Sequence, residues 1–314
     1  SRRRHTRCLS DWSSDVCSSD LPSGLFSDRT SRGHTVINAK HTLSFQCFKL
    51  AFLLPENETH VGNVHILDIG LHPDFPKLHQ PSYRFIDREL ITGFLKERKL
   101  FSHKGQNGHA ALVVGSKGMM GAAVLAAQSC LRSGIGKLTC YIPPAGLEIL
   151  QVAVPEALCQ QVDDEAGAAV PGWSGYSAVG IGPGIGTSPS RKILLTNLLK
   201  KYPGKIVIDA DALNILAQHP ELKNDLTTAC VLTPHPGEWE RLAGKSADDF
   251  DRLERVKEFA QQHQCVVVLK GRYTFISAPD GSNYFNTTGN NGLAKAGTGD
   301  VLTGIITAFC GQGY

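Results

Sequence analysis

The hydrophobic positions fall into two regimes. Past residue 100, short continuous apolar runs alternate with longer segments whose apolar positions recur every three or four residues. The runs are Ala110–Gly115, Lys137–Ile142, Ala178–Ile181, Ile206–Ile208, Cys230–Thr233 and Val266–Leu269. Continuous apolar runs bounded by turn residues predict strands buried on both faces. Between them, 121–133 reads as a helix of small residues, 189–201 as a helix and 248–263 as a strongly amphipathic helix. Tyr273–Ser277 and Ser282–Phe285, joined through Pro279-Asp280-Gly281, predict a hairpin, and a last helix starts near Thr298. Strand and helix in alternation predict an α/β fold with a mostly parallel central sheet. The earlier part is thinner. Leu50–Leu54 is a short apolar run, Val64–Ile69 alternates as a strand, and the prolines from 73 to 81 place a linker over 76–87.

A length of 314 residues bounds the answer at one to two domains, with enough chain for a large core. Hydrophobic residues at 41% and charged residues at 19% exclude a disordered or fibrous chain. Lys+Arg 32 against Asp+Glu 29 is too balanced for a protein that lives on nucleic acid or an acidic membrane. No apolar run reaches the ~18–20 residues of a membrane span. Nine scattered cysteines without C-x-x-C spacing argue against a zinc site or disulfide framework, and a reducing cytoplasm fits them best. Residues 1–21 are basic, then Ser/Asp-rich, with no apolar core for a signal peptide. Asp11–Leu21 resembles a sequencing-library adaptor read as coding sequence, so native sequence is expected from Pro22. An apolar helix just before Tyr314 suggests that the chain is a piece of a longer protein.

Gly 32 is high, and the glycines cluster at strand ends, where backbone can wrap a ligand. The most informative cluster is Asn286–Asp300, which leads into an apolar helix. Gly297, Thr298 and Gly299 put unpartnered amides at the positive end of a helix dipole, where a phosphate can approach. Asp300 in the same turn is suited to take a proton from a hydroxyl attacking that phosphate. The plainer reading is a glycine cap followed by an Asp cap. Gly180-Ile-Gly182-Pro-Gly184-Ile-Gly186 follows a strand but carries Ile185 where a dinucleotide fingerprint needs its third glycine. No Walker-type phosphate loop exists. In Thr233-Pro-His-Pro-Gly-Glu238 two prolines clamp His235, which becomes a fair ligand contact. Asp209-Ala-Asp211 pairs carboxylates that face a metal or a cation, unless Asp211 is simply a helix cap. Lys270-Gly-Arg-Tyr-Thr274 offers cations for phosphates, and Gly115–Gly121 is another anion-suited turn. Six such turns at successive strand ends are hard to obtain by accident.

Taken together, HKGQNGHA-LVVGSKGMMGAAVLAAQSCLRSG, VGIGPGIG, VIDADALNIL, LTPHPGE, VVLKGRYT and GNNGLAKAGTGDVLTG resemble, in content and order, the ADP/ATP-dependent NAD(P)H-hydrate dehydratases over residues 88–314. The resemblance implies a ribokinase-like three-layer α/β/α fold, truncated at its C-terminus. It also implies repair of hydrated NADH or NADPH, with ADP (giving AMP and phosphate) or ATP as phosphoryl donor and Mg2+ on the nucleotide. In this sequence Asp300 would be the base, with the amides of Gly297, Thr298 and Gly299 steadying the moving phosphoryl group. Ala122, Gly184, His235 and Asp300 would contact the hydrated cofactor. Lys270, Gly271, Arg272, Tyr273, Thr274 and Gly299 would hold the adenine nucleotide. Residues 22–75 resemble the tail of an NAD(P)H-hydrate epimerase domain, fused in front of the dehydratase in many bacteria. Ser23 would lie near its K+ site, with epimerase activity lost by truncation. A homo-oligomer, tetramer or larger, is also implied.

Two other readings stay open. A kinase of the same fold acting on a vitamin precursor or sugar hydroxyl would need the same anion hole and aspartate; the TPHPGE string and the epimerase-like segment favour cofactor repair. A catalytically silent nucleotide-binding protein would have no need of Asp300.

Overall fold

The computed structural model describes residues 16–72, 74, 81–162 and 172–314. They divide into two compact units, one running to Ser82 and including Ser246–Arg255, the other formed by Tyr83–Lys245 and Val256–Tyr314.

The first unit holds a parallel three-stranded sheet in the order β1 (Cys17–Ser19), β2 (His41–Phe45), β3 (Asn63–Leu67), with a single helical turn, α1 (Glu58–Val61). Leu25, Ala51, Phe52 and Val61 form its core. β1 lies inside the stretch read as adaptor-derived. Its ladder to β2 is made by main chain, which nearly any side chain permits. Ser246–Arg255 is tied in by a reciprocal pair: the Glu56 amide donates to Asp249 Oδ2 at 2.8 Å and the Asp249 amide to Glu56 Oε2 at 2.9 Å.

The second unit is built on a ten-stranded sheet. Its elements are β4 (Arg84–Phe85), α2 (Arg88–Phe94), β5 (His109–Val113), α3 (Met120–Arg132), β6 (Lys137–Ile142), α4 (Leu147–Ala153) and β7 (Leu158–Gln161). They continue with β8 (Ala178–Ile181), α5 (Pro189–Lys201), β9 (Lys205–Ile208), α6 (Ala210–Gln218), β10 (Cys230–Leu232) and α7 (Pro236–Ala243). Then come α8 (Asp249–Gln262), which begins in the first unit, β11 (Val266–Leu269), β12 (Thr274–Ser277), β13 (Asn283–Asn286) and α9 (Thr298–Gly311). The strand order is β4-β13-β12-β11-β10-β9-β8-β5-β6-β7, parallel throughout except where the β12–β13 hairpin runs against β11 and against itself. This is the mostly parallel α/β architecture that the alternation predicts, and β5, β8 and β9 are apolar and buried along nearly their whole length.

One boundary differs. The linker expected over 76–87 gives up Tyr83–Phe85 to the second unit: β4 adds a parallel edge strand beside β13, and the Tyr83 ring packs on Phe275 and Phe285 at 6.0 and 5.8 Å. A two-residue strand between a proline and a helix cap is too short to show a period.

Close packing fixes α9 against the rest of this unit. Its buried face is made of Thr303, Gly304, Thr307, Ala308 and Gly311. Small residues bring main chain to main chain: a methyl group on Gly304 would sit 2.2 Å from the Ala126 carbonyl oxygen of α3. On the sheet side, a methyl on Gly180 of β8 would sit 2.4 Å from Thr307 Oγ1. α9 is thus seated flush on both α3 and β8. Among the described residues no helix is long and apolar enough to cross a membrane.

Candidate active site

Parallel strands deliver all their C-terminal ends to one edge of the sheet, and here the first residues beyond those ends are bonded to one another. The Gly115 amide donates to the Pro183 carbonyl (2.8 Å) and Gly182 to Val113 (3.2 Å). Asp209 donates to Ile181 (3.1 Å), Thr233 to Ile208 (3.1 Å) and Lys270 to Pro234 (2.8 Å). Five of the turns singled out in the sequence are therefore adjacent, as expected of a ligand-binding edge in an open α/β sheet. At Gly182 the approach demands glycine: φ is +135° and a methyl would fall 1.8 Å from the Asp209 carbonyl oxygen.

Asp209 occupies the position before α6 where an aspartate ordinarily caps a helix, yet it makes no cap. Its carboxylate is only 1% exposed and reaches away from α6. Oδ1 accepts from Lys270 Nζ at 2.8 Å and Oδ2 from Thr303 Oγ1 of α9 at 2.7 Å. Lys270 Nζ also lies 3.6 Å from Glu238 Oε2 of α7. Buried Glu238 in turn accepts from the His235 amide at 2.8 Å, and His235 Nδ1 accepts from the Gly237 and Glu238 amides. This reciprocal capping box, with Pro236 as the first helical residue, fixes the His235 ring half-exposed. Asp211 does not join Asp209; it accepts from the Gly186 amide at 2.8 Å.

The α9 N-terminus closes the site. Gly297 is left-handed at φ +87°, and the first intrahelical bond runs from the Val301 amide back to its carbonyl. The amides of Thr298, Gly299 and Asp300 precede that bond and have no partner in the helix ladder. A methyl at Gly299 would lie 3.5 Å from Lys270 Nζ and 3.6 Å from Asp209 Oδ2, so the glycine turn sits directly against the ion pair. Asp300 is half-buried in the first turn. Burial raises its pKa above the ordinary carboxylate value, the negative charges of Asp209 and Asp211 raise it further, and Lys270 opposes them. The Thr298 hydroxyl faces the Leu293 and Lys295 carbonyls, at 2.9 and 3.1 Å.

The other residues singled out fall into place around this centre. Gly184 (φ +65°) and Ala122 abut: a methyl on the glycine would lie 3.2 Å from the Ala122 Cβ. Past Lys270, Gly271 and Arg272 are exposed, the Arg272 guanidinium lies 5.6 Å from the Tyr273 ring centroid, and the Thr274 hydroxyl donates to the Gly271 carbonyl. Ser23 belongs to the first unit instead, where it is exposed and its carbonyl accepts from the Ile37 amide. Two contributors escaped the sequence reading: Thr303, which looks like one more small residue of an apolar helix, and Glu238 as a partner of Lys270.

The arrangement is one of anion-ready amides, an ammonium held beside them and a carboxylate of raised pKa in the same turn. Comparison with known proteins points the same way. The family model described as NAD(P)H-hydrate dehydratase matches residues 110–314. The bifunctional NAD(P)H-hydrate repair enzyme Nnr of Moorella thermoacetica is 35% identical over 305 residues, covering 94% of this chain and 58% of its own length. The chain thus spans less than two thirds of that relative. The ADP-dependent (S)-NAD(P)H-hydrate dehydratase of Bacillus subtilis is 38% identical over 224 residues, covering 71% of this chain and 79% of its own. A crystal structure of the ADP/ATP-dependent NAD(P)H-hydrate dehydratase from Bacillus subtilis, co-crystallised with ATP and Mg2+, superposes with a TM-score of 0.64 at 35% identity, over 74% of this chain and 82% of that one. With a ribokinase-like α/β sheet and this set of strand-end turns, the chain belongs to the NAD(P)H-hydrate dehydratase family.

Proposed function

We propose that the second unit dehydrates hydrated NADH or NADPH at the expense of ADP or ATP, with Asp300 as the base. The nucleotide enters as its magnesium complex, with its terminal phosphate on the amides of Gly297–Asp300 and its charge met by Lys270. Asp300 takes the proton of the ring hydroxyl as that oxygen attacks the terminal phosphorus. The bond from phosphorus to the bridging oxygen breaks, releasing AMP when the donor is ADP. The ring now carries a phosphate ester, a far better leaving group than hydroxide. The ring nitrogen's electron pair expels it as inorganic phosphate, and loss of a proton from the neighbouring carbon restores the reduced ring. Ala122, Gly184 and His235 are proposed to line the cofactor, and the turn from Gly271 to Thr274 to border the adenine nucleotide. The observation that carries the reading is the junction at Gly299, where a dipole-charged turn, an ammonium and a raised carboxylate meet.

The first unit supports a second element of the proposal. The relative named bifunctional aligns over 94% of the chain, whereas the one named only as a dehydratase aligns over 71%. This favours residues 22–75 as an epimerase-domain remnant. A homo-oligomer completes the proposal, and light scattering in solution tests it.

The decisive experiment supplies chemically hydrated NADH with ADP or ATP and magnesium and follows the return of reduced-nicotinamide absorbance. Recovery is the expected result. No recovery with either nucleotide, together with phosphorylation of another alcohol, would install the kinase reading instead. The pH profile depends on Asp300. The base works only when ionised, and its pKa stands above the ordinary value, so activity should fall as pH drops through that raised pKa. The acid limb of kcat/KM, which reports the free enzyme, is expected above the ~4 of an ordinary aspartate, and a limb at or below ~4 would remove Asp300 from the role.

A further inference from the structure

We propose that Asp209 is a positioning residue for this reaction, a buried clamp that holds the Lys270 ammonium and the first two turns of α9 in one register. The inference rests on the dehydratase reading for its chemistry, though not for its geometry. A carboxylate at 1% exposure is costly unless it is paired, and its two oxygens are spent on groups 61 and 94 residues away in sequence. Oδ1 takes the ammonium from the end of β11, and Oδ2 takes the hydroxyl from the second turn of α9. The Thr303 hydroxyl also lies 3.2 Å from the Gly299 carbonyl, so the clamp touches the backbone of the turn that carries Asp300. Without it, the nearest anion to Lys270 is Glu238, at 3.6 Å on α7. A long lysine stem pulled that way would leave the glycine turn without its cation.

The charged groups that face Asp300 come from three elements: Asp209 from the end of β9, Asp211 from α6 and Lys270 from the end of β11. Glu238, on α7, engages Lys270 itself. Asp209 and Lys270 act on Asp300 with opposite sign, so the two are tested singly and together. Carboxyl 13C NMR titration of the whole chain, without nucleotide or substrate, reads Asp300 directly, its resonance being assigned by disappearance in Asp300→Asn. In Asp209→Asn the loss of a negative neighbour and the withdrawal of Lys270 toward Glu238 act on the Asp300 midpoint with opposite sign, so that midpoint should stay near the parent's. Lys270→Met should raise the midpoint in the parent but move it far less in the Asp209→Asn background, where the ammonium has already left the turn. In the absorbance assay Asp209→Asn is expected to lower kcat about 100-fold, with the nucleotide KM changed only several-fold.

An equal rise from Lys270→Met with and without Asp209 would overturn the clamp, as would an Asp209→Asn protein whose only defect is a lower Tm. Should Asp209→Asn fail to fold, the clamp is still tested at its other partner. Thr303→Val then tests the α9 arm: a kcat loss of about ten-fold, largely recovered in Thr303→Ser, is expected, and equal behaviour of the two Thr303 variants would count against it. Failure of the parent chain to regenerate NADH would refute the dehydratase reading alone, because the titration midpoints need no substrate.

Discussion

Asp300→Asn is expected to reduce NADH regeneration by about 10³-fold, the range lost when a positioned general base is removed. Asparagine keeps the size and the hydrogen-bonding reach of the side chain but takes up no proton from the ring hydroxyl. Nucleotide binding should stay within a few-fold of the parent, and if anything tighten, because a negative charge beside the phosphate is gone. Calorimetric titration with ADP and magnesium, alongside kcat, separates the two effects. A variant retaining more than about a tenth of the parent rate would exclude Asp300 as the base. The same substitution has a stability consequence whose sign can be worked out. The folded-state pKa is raised, so the folded protein prefers the protonated acid, and stability is lost as pH rises above the unfolded value and through the raised one. At neutral pH the ionised side chain is held at a cost, which asparagine removes. Tm should therefore rise as activity disappears, a pairing that a merely disruptive mutation would not produce.

Gly304→Ala is expected to destabilise the second unit by about 3 kcal/mol, the upper end of ordinary overpacking. Helix propensity alone argues the other way, since alanine in a helix interior gains up to ~1 kcal/mol over glycine. Packing decides the sign. The added methyl would lie 2.1 Å from Ser129 Oγ and 2.2 Å from the Ala126 carbonyl oxygen. The hydroxyl can rotate aside, whereas a carbonyl in the middle of α3 moves only with its helix. The strain is relieved by lifting α9 from α3, which drags the Gly297–Asp300 turn with it, so activity should fall along with the urea midpoint. Gly93→Ala in α2 is the matched control: a methyl there meets nothing within 4 Å, and the propensity gain should stand as a few tenths of a kcal/mol. A Gly304→Ala protein as stable as the parent would show that the two helices are not in main-chain contact.

The central elements of the sheet were legible because continuous apolar runs have few other uses, and Asp300 was legible because its glycine turn abuts an apolar helix. His235 was recognised for a partial reason. The flanking prolines are there, but the ring is fixed by its own capping box with Glu238, a side chain that the same six-residue string already contained. Other features left no trace in spacing. β2 reverses the expected polarity: Thr42 and Ser44 are fully buried, the Thr42 hydroxyl donating to the Val61 carbonyl, while Phe45 faces outward. Asp209 and Asp211 look like a pair in sequence, yet α6 begins between them at Ala210, whose φ of +48° turns the chain sharply, and their carboxylates go to different partners. The Lys270–Asp209–Thr303 clamp joins the ends of two strands to a helix, and periodicity within a segment says nothing about which distant segments will meet.

The row of amide-to-carbonyl links running from Gly115 to Lys270 has an implication for how such a cleft changes its tastes. Each mouth loop is located in part by peptide groups next door, so side chains other than the anchoring Asp209, Asp211, His235 and Glu238 are released from scaffolding duty. Substitutions at one loop can therefore recast which molecule is welcomed while the floor beneath it stays where it was.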